Sequence, residues 1–119
     1  MKALITGGDG FIGRHLVRRL QGDGVAVDVY DIKQGNDARN TEDLIEHLDD
    51  IDIIYHLAAH ADIALSAINP MLDFNDGTLI TASVLEAARI AGVKRILFSS
   101  SSAIYGDCGD TVTGENYGP

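Results

Sequence analysis

The stretch Thr6-Gly7-Gly8-Asp9-Gly10-Phe11-Ile12-Gly13 constrains this chain more than any other. It follows the near-continuous apolar run Lys2 to Thr6 and opens the amphipathic run His15-Leu16-Val17-Arg18-Arg19-Leu20. That order predicts a strand buried on both faces turning directly into a helix. The three spaced glycines each have a physical task. Gly7 can take the tight turn off the strand, Gly10 lets a pyrophosphate approach the backbone, and Gly13 lets the helix lie close on the sheet. The new helix then offers unpaired N–H groups and the positive end of its dipole to the phosphates. Asp31 closes the next apolar run, Val25-Ala26-Val27-Asp28-Val29-Tyr30, at the separation expected of a carboxylate that accepts from ribose hydroxyls. Strand, glycine turn, helix and acid in register point to a bound dinucleotide. Asp31 suits a ribose 2′-hydroxyl and repels a 2′-phosphate, which favours NAD over NADP, although the cations Lys33 and Arg39 lie nearby in sequence.

Composition narrows the partners. The 119 residues suit one domain, residues 1–119, and 45% hydrophobic content can bury a real core. A formal charge of −9 repels a nucleic-acid backbone, so phosphate binding must rest on backbone amides and isolated cations. Arg14, Arg18, Arg19 and His15 form the one basic cluster and read as the solvated face of the first helix. The single cysteine, Cys108, cannot close an internal disulfide and suits a reducing cytoplasm; no His or Cys spacing suggests a metal. No apolar stretch is long enough to cross a bilayer, and a membrane partner is not expected.

Further elements follow in order. The first helix is predicted over Phe11 to Gln21, burying Ile12, Leu16 and Leu20, and the second strand over Val25 to Asp31. Ile32 to Asn40 leaves little room for a third strand, so that edge strand should be missing or vestigial. Asn40 or Thr41 can cap a short helix through Leu48, and Ile51 to Ala59 reads as another buried strand. Its exit, His56-Leu57-Ala58-Ala59-His60, carries small residues that let the backbone lie against a flat ligand. His56 is expected as a hydrogen-bonded core residue and His60 as a pocket wall. Asn69-Pro70 signals a helix start. A helix over Thr78 to Ala91 has only a narrow polar stripe, so its far side needs a second helix layer or a partner subunit. Lys94 to Ser100 gives the last strand, and a glycine-rich acidic loop runs to Pro119. Together these elements predict an α/β fold: a doubly wound parallel sheet of about four strands.

Read in order, the glycine turn, Asp31, His56-Leu57-Ala58-Ala59, Asn69-Pro70, Val84-Leu85-Glu86-Ala87-Ala88-Arg89 and Ser99-Ser100-Ser101-Ser102-Ala103-Ile104-Tyr105-Gly106 resemble the extended short-chain dehydrogenase/reductases. Within them the chain is similar to the nucleotide-sugar epimerase/dehydratase group of the UDP-glucose 4-epimerase type. The resemblance implies a truncated Rossmann-type fold with NAD as cofactor, a nucleotide-sugar substrate in the full-length relative, and a homodimer through the Thr78–Ala91 helix. It implies that Phe11 and Ile12 pass the pyrophosphate, Asp31 holds the adenosine ribose, and Asp37 and Ala38 border the adenine. By the same resemblance Leu57, Ala58, Ala59 and His60 line the nicotinamide half, Ser99 joins the cofactor wall, and Ser101 is the catalytic hydroxyl on the sugar oxygen. The family's Tyr-x-x-x-Lys pair and sugar-binding domain have no counterpart here: no lysine follows Lys94, and Tyr117 lies too close to Ser101. Gly77 also stands where the family usually carries an asparagine. The expectation is the NAD-binding portion of an epimerase, inactive alone. A dehydratase or reductase fragment and a non-catalytic dinucleotide-binding module are the alternatives.

Overall fold

The computed structural model describes residues 1–117; Gly118 and Pro119, the end of the predicted terminal loop, lie outside the described residues. Ala3, Leu4 and Ile5 follow one another without a polar residue between them, and all three are buried in the central strand β1, Lys2–Thr6. Strand β2 (Ala26–Tyr30) pairs with one edge of β1, β3 (Ile53–His56) with the other, and β4 (Ile96–Phe98) lies beyond β3. Every pair is parallel. The register matches Thr6 with both Tyr30 and His56, and His56 with Phe98, so all four carboxyl ends finish level at one rim. Ligands of open α/β sheets bind at that rim.

Helices cover both faces. Helix α1 (Phe11–Gly22) packs along β1 and β2. On the opposite face α2 (Thr41–Glu46) and α5 (Ile80–Ala91) pack against each other and bury Leu4, Tyr30, Leu44, Ile54, Val84 and Ala87 in one core cluster. Asn40 caps α2, its side chain accepting from the Asp43 N–H at 3.2 Å. The connection from β2 to α2 holds a single 3₁₀ turn, Ile32–Gln34, and no strand, as its length predicts.

Several local expectations need correction. The strands are shorter than predicted, because the chain leaves the sheet after Tyr30, His56 and Phe98 to form the ligand-facing loops. Ile12 is not buried but 65% exposed: it sits in the first turn of α1, beyond the carboxyl rim of the strands. Helix α3, Ile63–Ile68, was not foreseen; Asp62 caps it through the Leu65 N–H at 3.0 Å. The predicted Thr78 helix start lies inside a longer helical run that begins with α4, Met71–Asp73, and passes through a π-turn, Phe74–Leu79, into α5. Within that π-turn the Asp76 carbonyl accepts from the His60 N–H at 3.0 Å, so helical hydrogen bonding is partly diverted to the strand-exit loop. Ile80, Val84 and Ala87 of α5 are buried, whereas Leu79, Leu85 and Ile90 on its far side are exposed, as its sequence predicts.

Candidate dinucleotide site

The glycine turn is shaped by contacts that only hydrogen can make. Gly7 has φ +71°, and a Cβ there would stand 2.8 Å from the Ala58 nitrogen, so the exit of β1 rests directly on the exit of β3. At Gly13 a Cβ would run into the Gly7 carbonyl and stand 2.7 Å from Gly8 Cα. The helix therefore lies on the turn with no side chain between them. Gly10, the N-cap, has no side-chain oxygen to turn back on the first N–H groups, and the first turn of α1 contains no acid. Those N–H groups face outward with the positive dipole end unopposed, which suits an anion.

Beside this turn lies a cavity of about 330 Å³, walled by Gly7 and Gly10, by Asp31, Asp37, Ala38 and Arg39, by Leu57 to His60, and by Asp76 and Ile80. Asp31, 6% exposed, accepts from the Asp9 N–H at 2.9 Å through Oδ2 and from the Lys33 N–H at 2.9 Å through Oδ1. A carboxylate has about four lone-pair sites, so each oxygen keeps capacity for a ribose hydroxyl. The second strand thus delivers its acid to the glycine turn itself. Asp37 is gripped by Arg39, whose Nε lies 2.9 Å and 3.1 Å from its two oxygens and whose Nη2 lies 2.7 Å from Oδ2. The guanidinium beside it holds the Asp37 carboxyl below its ordinary range. His60 places its Nε2 out of solvent with no hydrogen-bond partner. An orphaned polar atom in a cavity wall is a position for a ligand's polar atom.

Leu57, Ala58 and Ala59 also wall a second cavity of about 590 Å³, whose far side is made by Thr78, Thr81, Leu85, Phe98 and Ser99. The strand-exit strip is therefore a partition between two compartments. His60, expected by resemblance with Leu57, Ala58 and Ala59 on the nicotinamide side, lines the first cavity with them and with Asp31 and Asp37, and does not line the second. Ser99 belongs to the second compartment, while Phe11, Ile12 and Gly13 flank the first without lining it. Ser101 lines neither; it caps a 3₁₀ turn, Ser102–Tyr105, its Oγ accepting from the Ala103 N–H at 3.1 Å. His56 is 2% exposed, with Nδ1 at 2.7 Å from Thr6 Oγ1 and Nε2 at 3.1 Å from Thr81 Oγ1, and burial lowers its pKa. It joins β1, β3 and α5 as the hydrogen-bonded core residue expected. Tyr30, Ile32, Asn36, Arg39, Asp76 and Ile80 were missed as lining residues. Their sequence signal was proximity to Asp31, Asp37 and Gly77.

A parallel sheet ordered β2-β1-β3-β4, with a glycine turn into α1 and an acid at the end of β2, defines a dinucleotide-binding α/β domain of the Rossmann type. Residues 3–119 match the NAD dependent epimerase/dehydratase family, and the chain belongs to it. It is 35% identical to UDP-glucuronic acid decarboxylase 1 of Danio rerio, across 89% of this chain and 28% of that protein. It is 31% identical to UDP-glucose 4-epimerase of Klebsiella pneumoniae, across 90% of this chain and 94% of that sequence. The crystal structure of Thermus thermophilus UDP-glucose 4-epimerase in complex with NAD superposes with a TM-score of 0.87 at 32% identity, over 100% of this chain and 44% of that one. The chain thus spans less than a third of the first relative and less than half of the solved structure. No helix among the described residues is long and apolar enough to cross a membrane.

Proposed function

We propose that this chain is the NAD-binding portion of a nucleotide-sugar epimerase of the UDP-glucose 4-epimerase type. The observation that carries the reading is the cavity beside the glycine turn, where Asp31 meets the open N-terminus of α1. The residues present fit the dinucleotide: Asp31 has acceptor capacity, His60 Nε2 lacks a partner, and the first N–H groups of α1 face outward. In this reading Asp31 holds the adenosine ribose, Ala38 and Ile80 pack on the adenine, and the α1 N-terminus takes the pyrophosphate. Leu57, Ala58, Ala59 and Ser99 are left to border the nicotinamide half. The chemistry the cofactor supplies when bound is reversible hydride transfer at its nicotinamide ring.

Alone, the chain supplies little else for the reaction. A tyrosine without a neighbouring lysine keeps a pKa near ~10 and is a poor base at neutral pH. No lysine follows Lys94 in this sequence, and the Ser101 hydroxyl is turned toward Ala103. We therefore expect NAD binding without interconversion of UDP-glucose and UDP-galactose. Calorimetric titration with NAD, followed by a turnover assay at saturating NAD, tests both halves. Lack of binding refutes the cofactor assignment, and measurable turnover by pure material refutes the inactivity.

A further inference from the structure

Three carboxylates, Asp31, Asp37 and Asp76, line the adenosine-side cavity, and Arg39 is its one Lys or Arg among the described residues. An arginine in such a place is the residue type that accommodates a ribose 2′-phosphate. Here the guanidinium is already committed. Nε and Nη2 donate to Asp37 as described, and Nη1 donates to Asp76 Oδ1 at 3.2 Å, bridging the β2–α2 connection to the π-turn before α5. The Arg39 backbone is held as well: its N–H donates to Asp37 Oδ1 at 3.0 Å and its carbonyl accepts from Ser83 Oγ at 3.3 Å. The other nearby cation is also engaged, with Lys33 Nζ donating to the Asp9 carbonyl at 2.8 Å.

Stability does not account for this arrangement. Both ion pairs are more than a third exposed, and exposed pairs contribute little to folding. What a three-point hold does accomplish is orientation and charge neutralisation: three of the five guanidinium N–H groups are taken by two protein carboxylates, which leaves two for any ligand phosphate.

Resting on the reading of this cavity as the adenosine site, we propose that Asp37 and Asp76 set cofactor choice by sequestering Arg39. Asp31 repels a 2′-phosphate directly, and the two further carboxylates remove the cation that could have compensated. Arg39 is then a latent phosphate-binding residue, and the chain's preference for the unphosphorylated dinucleotide depends on two side chains placed for Arg39.

The test is calorimetric titration of NAD and NADP into the wild-type chain and the variants Asp76→Asn, Asp37→Asn/Asp76→Asn and Asp37→Asn/Asp76→Asn/Arg39→Gln. Because Asp37 also borders the cavity, the quantity read is the ratio of NADP to NAD affinity. We expect that ratio to rise by about tenfold in the double variant, less in Asp76→Asn, and to fall back in the triple variant. An unchanged ratio in the double variant, with NAD still bound, overturns the proposal but leaves the NAD assignment standing. A rise that persists without Arg39 overturns it too, since the effect is then one of net charge. If the wild-type chain binds neither dinucleotide, the underlying assignment fails and the proposal goes with it. Asp76→Asn, at a half-buried carboxylate, keeps the comparison available if the double variant does not fold.

Discussion

The same substitution at two positions of α1 is expected to act with opposite sign. Replacing glycine by alanine in a helix gains roughly 0.5 to 1 kcal/mol from backbone entropy where the methyl has room. Gly22, at the exposed end of α1, has nothing within 4 Å of its virtual Cβ, so Gly22→Ala should stabilise by about that amount. At Gly13 the methyl would meet Gly8 Cα and the Gly8 carbonyl oxygen, both at 2.7 Å, and the Gly7 carbonyl closer still. These are backbone atoms and cannot rotate away, so the turn must move by more than roughly 0.7 Å to restore ordinary van der Waals separation. Overpacking of this kind costs about 1 to 3 kcal/mol, which exceeds the helical gain and leaves Gly13→Ala roughly 1 to 2 kcal/mol less stable than wild type. The two variants should therefore differ by about 2 kcal/mol in urea unfolding at equal slope, or roughly 5 to 10 °C in melting temperature. NAD affinity should fall with Gly13→Ala, because the displaced turn is the one proposed to meet the phosphates, and hold with Gly22→Ala. A Gly13→Ala chain as stable as Gly22→Ala would refute the close-packing account of this turn.

Three other outcomes follow from particular side chains. Burial lowers the His56 pKa below its ordinary 6.5, so this group's stability contribution is complete above pH 6.5 and is lost as the pH falls toward the folded-state value. Stability measured from pH 8 downward should drop less steeply in His56→Gln than in wild type, and an identical profile would contradict the buried neutral ring. His60→Phe keeps the bulk but removes the orphaned Nε2; NAD affinity should fall about tenfold while the ligand-free melting temperature stays level or rises. A drop in both would mark His60 as structural. Leu85 and Ile90, each 52% exposed on the far side of α5, should drive self-association, and Leu85→Glu/Ile90→Glu should sediment as monomer; a wild-type monomer at tens of micromolar would refute this.

Much of the sheet was legible because its signals are local. The apolar run Lys2 to Thr6, the glycine turn and the length of the Ile32 to Asn40 connection determine the parallel order and the lost strand without reference to distant residues. Part of the cavity lining was legible for the same reason: Gly7, Gly10 and Asp31 sit in the turn after β1 or at the end of β2, whereas Asp37 and Ala38 were expected from family resemblance alone. What could not be read was which residues meet across the sheet. Asp76 reaches Arg39 from 37 positions away, and the His60 N–H is taken by the Asp76 carbonyl of the π-turn. Neither pairing leaves a period or a spacing in the sequence. Ile12 misled because helical periodicity assigns a face but does not know where the strands beneath it end.

The short link between β2 and α2 also bears on how fast a ligand can leave. Tyr30, Asp31, Ile32, Asn36, Asp37, Ala38 and Arg39 all line the cavity from this one segment. Among the described residues no further strand pairs beside the link, and its cross-ties are the bonds of Asp31, Lys33 and Gln34 to Asp9 in the glycine turn, the Tyr30 hydroxyl on Asp43, and the Arg39 contacts with Asp76 and Ser83. Undoing those bonds opens this cavity from the β2 side while β1, β3 and β4 stay paired. A ligand held in this cavity is thus expected to leave through a local opening, with amide hydrogens of residues 32–39 exchanging well before those of β1.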